Sequence, residues 1–170
     1  MNTNRFPTAL TTLILGGCAA ATPAAATRPP SAALEVELQY DPDMQPIVSA
    51  ESGRGRLMGS GVGQVHGVVE GDIRWTLFEV QSTTSCELQL VGVITNTEGE
   101  EVRFEAIGYG NRPRSSSPLW DMTASAAFSA DSDIESPLAG RVAAWVGSFD
   151  ARTGRHNYRV HLPVRSGAGS

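Results

Sequence analysis

Apolar and polar residues alternate with a period of two over much of the chain. In Leu34–Tyr40, Leu34, Val36, Leu38 and Tyr40 alternate with Glu35, Glu37 and Gln39, the pattern of a strand buried on one face. Asp41-Pro42-Asp43 turns it, and the stretch up to Ser52 reads as irregular. From Gly53 to Val80 short apolar runs are interrupted every few residues by glycine. Glycine costs about 1 kcal/mol relative to alanine inside a helix, whereas in sheet it marks bulges and bends. The stretch is therefore expected to be curved antiparallel structure, with strands over 53–58, 62–69 and 72–80 and a hairpin at Glu70-Gly71.

Further strands are expected over 86–95 and 101–110, joined by Asn96–Glu100 with Gly99 available for a positive φ angle. Three more follow over 120–130, 140–149 and 156–164, separated by turn-forming segments. No window carries a sustained helical period. This spacing gives an all-β fold of eight or nine strands, a sandwich or an antiparallel barrel. The reading taken forward is a single-domain antiparallel barrel of about eight strands over residues 34–165, with 166–170 as a disordered tail.

Ahead of the domain the pattern changes. Arg5 provides a short positive region, and the apolar run Phe6–Leu15 falls well short of the roughly 20 residues needed to span a bilayer. Residues 1–17 are read as an export signal. Its end, Leu15-Gly16-Gly17-Cys18, resembles a bacterial lipobox, which implies acylation of Cys18; cleavage in the following alanine-rich run, giving a secreted or periplasmic soluble protein, is the alternative. Several acyl chains, at about 0.8 kcal/mol per buried methylene, would hold the protein stably on a membrane. Ala19 follows the cysteine in place of the aspartate of an inner-membrane retention signal, so the resemblance implies the outer membrane, facing the periplasm. Pro23, Pro29 and Pro30 make residues 18–33 a tether, extended at about 3.1 Å per residue.

Composition narrows the chemistry. The basic residues are all arginine, 13 against 18 acidic residues for a net charge of −5, which rules out lysine Schiff-base chemistry and gives no cationic face for nucleic acid. Cys86 is the one cysteine besides Cys18, so it is assigned to the core with no intramolecular disulfide.

Gly59-Ser60-Gly61-Val62-Gly63, Gly67, Gly71 and Trp75, then Glu98-Gly99, Val102 and Gly108-Tyr109, then the strand around Trp120 and Phe128 resemble the small barrels of domain-of-unknown-function family 3237. The likeness runs over nearly all of Leu34–Val164. That family is similar to allene-oxide-cyclase-type barrels, which implies eight closed strands around an internal cavity and carries no assigned activity. One departure stands out: where the family has an Asp-Ala-Arg-Tyr pattern, this chain has Gln89-Leu90-Val91-Gly92, so an activity that depended on that charged pair would be absent.

Candidate chemistry is sparse. The glycines at 59, 61, 63 and 67 are followed by strand, so a phosphate-binding loop is rejected in favour of bulges. Asp131, Asp133 and Glu135 alternate as in a calcium loop, but Ser136 stands where glycine is required and Val142 where glutamate is required; a solvated turn is the better reading. His66, His156 and His161 have no metal-site spacing, and Gly59-Ser60-Gly61 is no nucleophile elbow. No metal or cofactor is expected. What remains is the interior: Ile73, Trp75, Leu77 and Glu79 share one face, as do Trp120, Met122, Ala124, Ala126 and Phe128.

Trp75, Glu79, His66, Tyr109, Trp120 and Phe128 are the ligand-binding candidates, with small residues between large ones leaving room for one ligand. Glu79 is read either as a cavity acid or as a rim residue in water, and His66 either as a base or as a structural histidine. The leading function is binding of an apolar or aromatic small molecule in the barrel. The alternatives are a cofactor-independent isomerase or cyclase using Glu79, His66 or Tyr109, and an envelope interaction protein with a filled core. The oligomeric state is open.

Overall fold

A computed structural model describes residues 32–41, 47–51 and 54–163, with side chains absent from the description over 47–54. The signal, Cys18, nearly all of the tether and the tail lie outside the described residues. The strands are β1 (Leu34–Tyr40), β2 (Ile47–Glu51), β3 (Arg54–Gly67), β4 (Gly71–Gln81), β5 (Ser85–Asn96), β6 (Glu101–Asn111), β7 (Leu119–Ala130), β8 (Val142–Asp150) and β9 (Arg155–His161). From β3 to β9 each pairs antiparallel with the next, and β1 closes the ring by pairing with both β9 and β3. The result is an eight-stranded closed antiparallel barrel, with no helix among the described residues. Closure removes the edges of the eight-stranded ring, while β2 is paired with β3 alone among the described residues.

Two expectations are corrected. Residues 53–58 and 62–69 are not separate strands but one long strand, β3, and residues 47–51 of the supposedly irregular segment form β2. The two corrections have one cause. The second half of β3 pairs with β1 from Tyr40↔Gly61 to Leu34↔Gly67, while its first half pairs with β2 from Glu51↔Arg54 to Ile47↔Met58. A strand that serves two partners in succession is long, and the partner of its first half has to exist. The glycines of β3 admit aromatic rings: a Cβ at Gly59 would strike the Tyr40 ring, and one at Gly61 would lie 2.7 Å from Trp75 Cζ2.

Alternation decides what fills the barrel. Inward positions include Leu34, Val36 and Leu38 on β1, Ile73, Trp75, Leu77 and Glu79 on β4, and Trp120, Met122, Ala126 and Phe128 on β7, all buried. Mid-barrel, Trp145 of β8 stacks on Phe104 with centroids 5.3 Å apart and meets Tyr158 at 5.4 Å and Phe128 at 6.4 Å. Ala126 and Ala106, opposite each other on β7 and β6, are 0% exposed. Side chains lining a cavity that admits water retain accessible surface, and these have almost none. The internal cavity implied by the family resemblance is thus replaced by a lumen filled with rings. At one end Ile73, Ile94, Val102 and Val160 are buried, and Leu138 of the β7–β8 connection joins the same core cluster, 0% exposed. The acidic residues of that connection, Asp131, Asp133 and Glu135, stay exposed, and Asp131 accepts a 2.9 Å bond from Arg103.

Candidate functional site

The other end is open. A concavity of about 880 Å³ lies at the mouth formed by the ends of β1, β4 and β8 and the starts of β3, β7 and β9. Tyr40, Leu57, Trp120 and Phe149 line it with Gln39, Gln81, Arg112, Arg152 and Arg155. The floor is apolar because those inward positions continue the core stripe of their strands, and the rim is polar because the strands end there in water. The Tyr40 ring packs edge-on to Trp75 at 4.9 Å and to Phe149 at 6.1 Å. The Arg112 guanidinium lies over the Trp120 ring, 4.5 Å from its centroid, a cation–π arrangement that holds both groups. Arg112 also joins two loops, donating from Nε to Thr83 O at 2.7 Å and from Nη1 to Ser117 O at 3.2 Å. Gln39 Nε2 donates to Thr153 O, and Gln39 Oε1 accepts from Arg155 Nε, each at 3.0 Å.

Behind this floor sits a buried polar group of side chains. Glu79 is 5% exposed, and burial raises its carboxyl above the ordinary 4.5, opposed by hydrogen bonds with Gln81 and Cys86. Burial likewise pushes the Cys86 thiol up, with the Glu79 charge adding to it, and raises Tyr40 and Tyr158 in the same sense. His156 is 2% exposed, stacked on Phe149 at 4.3 Å, and burial lowers it to about 3. Its Nδ1 is 3.3 Å from the Tyr158 hydroxyl, and its Nε2 has no partner. These groups are all held toward their neutral forms by desolvation, so the packed layer beneath the mouth is polar but weakly charged. Among the described residues no three His, Cys, Asp or Glu side chains converge on a metal position.

Of the six ligand candidates, Trp75, Glu79, Trp120 and Phe128 face the interior, and Trp120 alone lines the mouth. Phe128 lies toward the opposite end, in contact with Phe104 and Trp145. His66 and Tyr109 are on the outer wall. Nδ1 of His66 is 2.8 Å from Glu70 Oε2, with both side chains more than half exposed, and Tyr109 is 60% exposed. Neither faces the interior with Trp75, although Tyr109 shares an outer-wall concavity with Glu79. Residues absent from the candidates but present at the site are Tyr40, Phe149, His156 and the three rim arginines. His156 carried a signal, since its parity with Tyr158 and Val160 puts it on the inner face of β9.

The outer wall has its own concavities. One of about 470 Å³ lies among Met58, Phe78, Ile107 and Tyr109, each 44–61% exposed. Another, of about 810 Å³, crosses β3–β7 past Arg74, Arg103 and Glu105. The mouth is preferred because its aromatic residues form a floor at the barrel's open end with arginine and glutamine donors around it.

No family model matches the chain, and no curated protein matches it. Solved structures do. A protein of unknown function from Clostridium acetobutylicum ATCC 824 superposes with TM-score 0.66 at 14% identity over 78% of this chain and 97% of its own. A conserved protein of unknown function from Rhodopseudomonas palustris does so with TM-score 0.61 at 15% identity, over 78% and 94%. A β-barrel-like protein from Acinetobacter baumannii AYE gives TM-score 0.63 at 12% identity, over 80% and 98%. At such identities the likeness concerns the fold alone.

Proposed function

We propose that this barrel binds a small apolar or aromatic molecule at its open mouth, not in its lumen. The observation that carries this reading is the concavity of about 880 Å³ floored by Tyr40, Trp120 and Phe149, within the about 300–1,000 Å³ usual for ligand pockets, above a core of buried rings. Ala151→Trp tests it. Ala151 is an exposed mouth residue in the β8–β9 turn, so an indole there fills the entrance without entering the core. Saturable uptake of the uncharged probe N-phenyl-naphthylamine should be lost in Ala151→Trp and retained in Ala144→Trp, whose site lies outside the mouth lining. Equal uptake by both variants would refute the mouth as the site.

Two other readings have an observation behind them. The buried Glu79, raised by desolvation and two residues inside Gln81 of the mouth, favours acid–base work on such a ligand; turnover lost in Glu79→Gln with binding retained would establish it. The filled lumen together with the exposed Met58, Phe78, Ile107 and Tyr109 favours a protein-interaction role. We also place the chain beside domain-of-unknown-function family 3237, on the strength of the shared barrel architecture and the glycine pattern. Its location is proposed to be the outer membrane, through a lipid on Cys18. Cys18→Ala should abolish metabolic labelling by an alkyne-tagged fatty acid, and an unchanged label would refute the anchor.

A further inference from the structure

The rim of the mouth is more cationic than the protein that carries it. In a chain of net charge −5, Arg112, Arg152 and Arg155 converge on one opening with Asp41 as the one carboxylate in its lining. The three differ in what they have left to give. Arg152 is committed to Asp150, with Nη2 to Oδ2 at 2.9 Å and Nε to the same carboxylate at 3.2 Å. Arg155 is tied only through Nε to Gln39, so both of its terminal nitrogens lack a partner among the described residues. Arg112 spends Nε and Nη1 on Thr83 and Ser117, and its Nη2 is likewise unpartnered among the described residues. Two guanidinium groups with donors unpartnered among the described residues thus line the concavity floored by Tyr40 and Phe149, both half-buried.

We propose that the ligand of the mouth is an aromatic carboxylate, its ring on Tyr40 and Phe149 and its carboxylate paired with Arg155 of the rim. This deepens the mouth-binding reading and rests on it. The fork of a guanidinium matches the two oxygens of a carboxylate, and a ring held edge-on or offset against Tyr40 and Phe149 has the geometry that aromatic pairs favour. Gln39, which already fixes Arg155 and is fixed in turn by Thr153 O, holds the fork in place before a ligand arrives, lowering the ordering cost of binding.

The test compares naphthalene carboxylate with naphthyl methanol, the same ring without the charge, by isothermal titration calorimetry on the protein and its variants, with decanoate as a third probe. The carboxylate should bind about tenfold or more tightly than the alcohol, the difference expected of a charge-assisted pair, and more tightly than decanoate. Arg155→Gln should remove most of that ratio while leaving the affinity for the alcohol unchanged. Arg114→Gln, an exposed arginine outside the lining, should alter neither. Equal affinity for carboxylate and alcohol, both lost in Ala151→Trp, would overturn the anion inference and leave mouth binding standing. Decanoate matching naphthalene carboxylate would overturn the aromatic part. Binding of neither naphthalene probe, or of both undiminished in Ala151→Trp, would overturn the mouth itself and the inference with it.

Discussion

Trp145→Ala should cost the barrel a large part of its stability and create a pocket that indole refills. Trp145 is 1% exposed and has aromatic neighbours in Phe104, Tyr158 and Phe128, with centroids 5.3–6.4 Å away. Truncating such a ring removes its transfer free energy and leaves a void, together about 3–5 kcal/mol. The upper part of that range is expected, because the walls belong to a closed hydrogen-bonded sheet that cannot collapse inward. At about 3 °C per kcal/mol for a domain of this size, the melting temperature should fall by roughly 10–15 °C. Trp145→Phe should cost much less, since it deletes an indole N–H that is buried without a partner, a group whose burial itself costs about 1–3 kcal/mol. The assay is equilibrium urea unfolding followed by far-UV circular dichroism, with and without indole. Indole should raise the midpoint of Trp145→Ala by mass action well beyond any rise it gives the parent through the mouth. A loss below about 1 kcal/mol with no response to indole beyond the parent's would refute the filled lumen.

The buried ionisable groups give predictions of opposite sign. Between 4.5 and its raised folded value, Glu79 keeps a proton that the unfolded chain releases, so stability falls as pH rises through that window. Glu79→Gln should remove that decline in the urea midpoint from pH 4.5 upward, and an unchanged slope would contradict it. His156 stays neutral down to about 3 while the unfolded chain takes up a proton near 6.5, so stability falls as the pH drops between those values. His156→Phe, which preserves the stack on Phe149, should flatten that acid limb, and a limb of undiminished steepness would assign it to other groups. Far-UV circular dichroism of residues 34–165 should show a β-dominated spectrum, and helix approaching the globular average of about a third would contradict the barrel.

The alternation in LEVELQY and the common faces of Ile73 to Glu79 and of Trp120 to Phe128 were legible in the sequence, because a period of two is set by local backbone geometry and survives folding. The length of β3 was not legible. Its glycines read locally as breaks, and only pairing with β1 and β2, distant in sequence, makes the strand continuous. His66 and Tyr109 have the chemistry of ligand contacts, but their parity sets them with Val62 and with Ile107, which face outward, and period decides where a strand's side chain points. The mouth was hidden for a different reason. Arg112 stands about forty residues from Arg152 and Arg155 in the chain, all at loop or strand-end positions, and only the folded ring brings them to one mouth.

Fluorine NMR of protein labelled with fluorotryptophan gives separate resonances for Trp75, Trp120 and Trp145. On titration with naphthalene carboxylate, the Trp120 resonance beneath Arg112 should shift saturably while that of Trp145, enclosed mid-barrel, stays in place. A Trp145 resonance that moves with the first additions, or three resonances unmoved throughout, would contradict a ligand held at the mouth of a filled barrel.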